Sequence, residues 1–162
     1  MYDIDPDDEY RPPTKEEVLA QLDDWRQRLH KLYVDIISWL PVDQGYESEI
    51  RDVMIHEGQM RKADVPPQPV PELVVRRMNE SVLTFTPKTC WIIGANGRVR
   101  LRTATTFHKL THTDSQVIGP GWRLYRQDWP RPEFDKPIDR KLLVGIPVDR
   151  KAICELAGVH HG

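Results

Sequence analysis

The residues of this chain that could do chemistry fall into two groups, a histidine pair and an arginine run. His108 and His112 stand four apart in "TFHKLTHTD", with Asp114 two further on. On a helix that spacing puts two imidazoles on one face, as a metal pair requires. The segment alternates and is rich in threonine, so a strand is the expected conformation. There the histidines still share a face but lie about 13 Å apart by strand rise, too far for one ion. No metal and no cofactor is therefore expected. A small enzyme with a site near His108, His112 and Asp114 is the most distant of three functional readings.

Other catalytic patterns fail on spacing. His56 and Glu57 are adjacent, but position 60 is Met60, so there is no HExxH frame. The two cysteines, Cys90 and Cys154, have no zinc-like spacing, and Cys90 is expected as a buried structural thiol. There is no nucleophile elbow, phosphate loop or dinucleotide fingerprint. "GANG" at 94–97 reads as a turn, because no helix follows it.

The second group is Arg98, Arg100 and Arg102, at every second position after "GANG". The net charge of -2 hides a segregation of sign. Between Arg76 and Lys109 seven bases stand against one acid, Glu80, while the first nine residues carry five acids and no base. With Asn96-Gly97 as a hairpin turn, Trp91, Ile93, Arg98, Arg100 and Arg102 share one face, and Cys90, Ile92, Val99 and Leu101 the other. Guanidiniums beside an exposed indole suit single-stranded nucleic acid. The same pattern also suits an acidic protein partner, the solvated outer face of an antiparallel sheet, or a face across which the acidic leader lies.

Positioning these groups falls to a small set of elements. Residues 1–13 read as an acidic disordered leader. Thr14 and Glu17 form a capping-box pair that opens a helix. Val18, Leu22, Trp25, Leu29, Leu32, Ile36 and Trp39 follow at alternating spacings of four and three, an unbroken seam that ends at Pro41. Tyr46, Ile50, Val53, Glu57 and Met60 repeat the spacing, which predicts a helical hairpin over 14–63. The seam packs either on the chain's own sheet or on a partner or second copy.

"DVPPQPVP" at 64–71 predicts a proline-rich linker, with one weak PxxP. Beyond it, residues 72–162 read as an antiparallel β-rich domain. Strands are expected at Val82–Phe85, Cys90–Ile93, Arg98–Thr103, Thr106–Thr111 and Trp122–Gln127. "RKLLVGIPV" reads as a buried strand or a short helix, and Asp149 to Leu156 as a final helix capped by Asp149 and stopped by Gly158.

The fold class expected is α+β: an N-terminal helical hairpin, a spacer, and a mainly antiparallel sheet of about five strands with a short C-terminal helix. The leading functional reading is a small non-enzymatic adaptor or inhibitor that binds another protein, or its own copy, through the helical seam and the basic sheet face. Trp25, Trp39, Trp91, Arg98, Arg100 and Arg102 are its candidate contacts, with Trp122 and Tyr125 secondary. Single-stranded nucleic-acid binding through Arg98, Arg100, Arg102 and Trp91 is the alternative. The absence of a signal-like N-terminus or a long apolar run predicts a cytoplasmic protein without a membrane span.

Overall fold

The structure is a computed structural model that describes residues 11–92 and 95–160. A long helix α1 (Lys15–Trp39) precedes a seven-stranded antiparallel sheet whose strands lie in chain order. These are β1 (Tyr46–Ile55), β2 (Gln68–Arg77), β3 (Glu80–Thr89), β4 (Gly97–Arg102), β5 (Phe107–Thr113), β6 (Gly121–Tyr125) and β7 (Ile146–Pro147). Short helices α2 (Gly58–Lys62) and α3 (Arg140–Val144) interrupt the meander, and α4 (Arg150–Ala157) closes it. No helix among the described residues is long and apolar enough to cross a membrane.

The seam of α1 packs onto the chain's own sheet. Trp25, Leu29, Leu32 and Ile36 share one core with Leu73, Val75, Leu83, Phe85, Val99, Leu101, Leu110 and Leu124, and α4 adds Ile153 and Ala157. Val18 and Leu22, one to two turns earlier, enter a second cluster with Met60, Ala63 and Val65. Thr14 Oγ1 accepts from Glu17 N at 3.1 Å, the N-cap half of the expected capping box; the reciprocal bond from Thr14 N is not formed among the described residues. The Glu17 carboxylate takes Arg11 at 2.7 Å. At the other end Asp149 caps α4 and Gly158 ends it in the left-handed conformation, both as expected.

The helical hairpin is corrected. Its second arm is strand β1 from Tyr46 to Ile55, and only Met60 of that run sits in a helix, the five-residue α2. The physical reason is competition for partners. All ten residues of β1 find register partners on β2, from Tyr46 opposite Arg77 to Ile55 opposite Gln68. The sheet already occupies the seam of α1, and Ile50, Val53 and Ile55 are β-branched. Of the proline-rich stretch, Gln68 to Pro71 belong to β2. Prolines fit there because pairing with β3 stops at Leu73–Phe85. The Tyr33 hydroxyl fills the gap between the diverging strands, lying 2.8 Å from Pro71 O and 3.3 Å from Phe85 O.

The expected Asn96-Gly97 turn is also corrected. Gly97 is the first residue of β4, and Asn96 N donates to His112 O at 2.9 Å, toward β5. Gly97 lacks a side chain for a different reason: a Cβ there would lie 2.0 Å from Trp25 Cζ3. Trp25 is packed between this bare backbone, Trp122 (5.8 Å between centroids) and the Arg28 guanidinium (5.1 Å). The tight hairpin lies instead between β2 and β3, where Met78 (φ 54°) and Asn79 (φ 64°) fill both left-handed positions. Cys90–Ile93 forms no strand of its own: Ile92 makes an isolated bridge to Ala95, and Ile93 lies outside the described residues. Four of the five expected strands correspond to β3–β6, and β1, β2 and β7 bring the sheet to seven. "RKLLVGIPV" divides into α3 and β7, so it is neither wholly strand nor wholly helix.

Two outcomes follow for stability. Gly97→Ala forces Trp25 off its seat and lowers unfolding free energy by about 1–3 kcal/mol, the usual range for overpacking. Met78→Asn relieves a left-handed methionine at an 85% exposed position and raises it by about 0.5–1 kcal/mol. Urea titration of both variants against the parent measures each change.

Candidate functional site

Because α1 covers one face of the sheet, strand alternation sends every second residue of β2–β6 to the opposite face. Along β4, Gly97, Val99 and Leu101 are buried while Arg98, Arg100 and Arg102 are exposed. Pairing then assembles a transverse row. Arg51 lies opposite Glu72, Thr86 opposite Arg100, Arg100 opposite Lys109, and Lys109 opposite Tyr125. Arg102 lies opposite Phe107, and Arg98 opposite Thr89 and Thr111.

The row changes sign across the sheet. On the β1–β2 side the buried Glu72 carboxylate accepts from Arg51 Nε and Thr86 Oγ1, each at 2.7 Å. On the β3–β5 side Lys88, Arg98, Arg100, Arg102 and Lys109 have no carboxylate within ion-pair distance among the described residues. Arg100 and Lys109 are direct cross-strand neighbours, an arrangement that costs stability. Burial, and then the charge of Arg100, push the Lys88 ammonium below the usual lysine range. π faces offset part of this: Arg100 and Arg102 lie 5.0 and 5.8 Å from the Phe107 centroid, and Lys109 lies 4.8 Å from that of Tyr125.

Two recesses flank this cluster. One, of about 650 Å³, is lined by Lys88, Arg98, Arg100, Phe107 and Lys109. The other, of about 430 Å³, shares Arg98 and Lys109 and is mixed in character, with Ile92, Ile118, Leu142 and Leu143 beside Thr111, Thr113 and Tyr125 in its walls. Arg98 and Lys109 thus stand on the boundary between the two recesses, the second of which adds aliphatic side chains. Leu142 and Leu143 belong to α3, an element whose sequence gave no sign that it would border the arginines.

The structure distributes the expected site residues unevenly. Arg98, Arg100, Arg102 and Tyr125 lie on the outer face together. Trp91 does not share it in the way alternation suggested: its Nε1 donates to Gln21 Oε1 of α1 at 2.6 Å, and its ring packs on the Val18–Met60 cluster. Trp25 is 0% exposed, and Trp39 and Trp122 are packed against the main core. Phe107, 45% exposed between Arg100 and Arg102, is the aromatic residue of the face that sequence reading missed. The signal was its register opposite Arg102, which needs the β4–β5 pairing to be known.

The histidines separate. His108 is buried, and its Nδ1 accepts from Gln127 N at 3.0 Å, which holds the imidazole neutral with its proton on Nε2. Asn96 links the other two residues: His112 Nδ1 is 2.7 Å from Asn96 Oδ1, while Asn96 Nδ2 donates to Asp114 Oδ2 at 2.6 Å. Since a carboxylate only accepts, Asn96 must present Oδ1 to His112, and the proton resides on Nδ1. The His112 ring then meets Trp122 edge-on at 5.1 Å. No hydroxyl or thiol among the described residues hydrogen-bonds to either imidazole. No cluster of three or more metal-ligating side chains occurs among them. The Cys90 thiol, pushed up to about 12 mainly by burial, is not a nucleophile at neutral pH.

No family model, no curated protein and no solved structure matches the chain.

Burial lowers the folded-state affinity of both His108 and His112 for a proton. A depressed folded value means that the unfolded chain binds more protons, so their contribution is intact above the free-histidine range near 6.5 and is lost as pH falls below it. Stability should therefore drop between pH 7.5 and pH 5. His108→Gln should flatten part of that slope in urea midpoints measured across the range.

Proposed function

We propose that the protein is a binding protein that holds an acidic, partly apolar segment of another protein against the outer face of its sheet. The observation that carries this reading is the joined pair of recesses. Lys88, Arg98, Arg100 and Lys109, without carboxylate partners among the described residues, line one recess, and Arg98 and Lys109 also line its neighbour beside Ile92, Ile118, Leu142 and Leu143. Such a surface costs the fold electrostatic repulsion, which an anionic occupant removes. An apolar residue on the same segment fills the neighbouring pocket and excludes water from the charges.

Nucleic acid fits the face less well. The indole proposed to stack a base is engaged with α1, and Phe107 is already flanked by guanidiniums. The seam of α1, buried in the chain's own core, is left out of the proposal. His112, Asn96 and Asp114 act in it as a brace for the start of β4.

The test uses a labelled peptide of alternating glutamate and leucine beside a mixed-sequence single-stranded oligonucleotide, by fluorescence anisotropy. The peptide should bind, and Arg100→Glu combined with Arg102→Glu should weaken it at least tenfold, with the circular dichroism spectrum unchanged. Leu143→Asp, at a 62% exposed position, should weaken the peptide alone. Tighter binding of the oligonucleotide, with affinity falling steeply as salt rises, would replace the protein partner by single-stranded nucleic acid.

A further inference from the structure

The two edges of the sheet are built differently. The β7 edge is two residues long and one of them is Pro147, which cannot donate to another strand. The β1 edge is ten residues long, contains no proline and runs in unbroken register with β2. Outside that pairing none of its residues makes a backbone hydrogen bond among the described residues. It therefore presents a row of backbone donors and acceptors to solvent. Two exposed apolar side chains accompany them, Ile50 at 41% and Met54 at 63% exposure.

We infer that β1 pairs antiparallel with β1 of a second copy, about a two-fold axis through Ile50, to give one continuous sheet. Antiparallel pairing of identical strands needs an axis perpendicular to the sheet, so opposed residues must share parity and the strand can pair only in discrete registers. Centring on Glu49, Arg51 or Asp52 opposes each of these charges to itself, and centring on Ser48 opposes Glu47 to Glu49. Centring on Ile50 opposes Glu49 to Arg51 twice, Ser48 to Asp52 twice, Glu47 to Val53, Tyr46 to Met54, and Ile50 to its own copy. Among these registers it is the one without like charges in opposition. Centring on Val53 opposes none within β1 either, but leaves Tyr46 to Ile50 unpaired by β1.

The ion pairs already present extend this pattern. Arg51 is held by Glu72 at 2.7 Å and Glu49 by Arg76 at 2.6 Å, all on the outer face. In the Ile50-centred register the pair Arg51–Glu72 of one copy meets the pair Glu49–Arg76 of the other, so charges of alternating sign cross the seam. Ile50 meets Ile50 on the opposite face, flanked by the Ser48–Asp52 pairs, with Met54 opposite Tyr46 further along each strand. The two helices α1 then lie on the same side, and both basic faces point the same way. The dimer presents two acidic-segment sites on one surface.

Light scattering behind size exclusion should return the dimer mass for the full chain, and the monomer mass for Ile50→Lys with its urea midpoint within error of the parent. Register is read separately by mild oxidation. Ile50→Cys should form a linked dimer, because cross-strand Cβ atoms at the axis lie about 4.5–5.5 Å apart. Asp52→Cys should not, because its copies are offset by about 13 Å. The native thiols give little background, since Cys154 is buried and Cys90 is held protonated. A monomer mass for the parent overturns the inference, as does linkage at position 52 without linkage at 50. The Arg100→Glu, Arg102→Glu variant should remain a dimer, so failure of the peptide site and failure of the edge pairing are distinguished.

Discussion

The structure depends on one act of burial, the apolar ridge of α1 laid across one face of an antiparallel sheet. The 25-residue helix shares one core with inward-facing residues of β2–β6, among them Leu73, Val75, Leu83, Phe85, Val99, Leu101, Leu110 and Leu124. That contact fixes which parity of each strand is apolar, because a slip of one residue would invert both faces at once. Once Val99 and Leu101 are committed inward, Arg98, Arg100 and Arg102 have nowhere to go but outward. The basic face is thus a consequence of packing on the other side of the sheet. What packing does not explain is why its neighbours Lys88 and Lys109 are cations too.

Where the ridge meets the sheet most closely, side-chain volume has been removed. Trp25 rests on Gly97, and around it Trp122, Arg28 and the His112–Asn96–Asp114 chain form one connected assembly. Asn96 is the hinge of this assembly, since it receives the helix through Arg28 at its carbonyl and the β5 histidine at its side chain. The start of β4, and with it the direction of the arginines, is held from the inside. Chemistry-bearing residue types are used here as structural fasteners.

The limits of reading the chain follow from range. Elements whose signals are local were legible: the Thr14 cap, the seam of α1, the alternation of β4, and the Asp149 and Gly158 caps of α4. The run from Tyr46 to Met60 was misread because its spacing fits a helix as well as a half-exposed edge strand. What decides between them is β2, about twenty residues further on. Asn96-Gly97 was misread because glycine serves two purposes, positive φ and close approach, and the second depends on a tryptophan some seventy residues away.

The sequence by itself determined that there is a long amphipathic helix, that strands follow it, and that the arginines alternate with core residues. Those properties come from periodicity, and periodicity is local. Only the tertiary structure decided that the helix seam is spent on its own sheet, that Trp91 leaves the arginine face, and that Phe107 and the leucines of α3 arrive there. It also decided that β1 is an open edge while β7 is a closed one. Pairing and packing join residues distant in the chain, and no spacing along the chain carries that information.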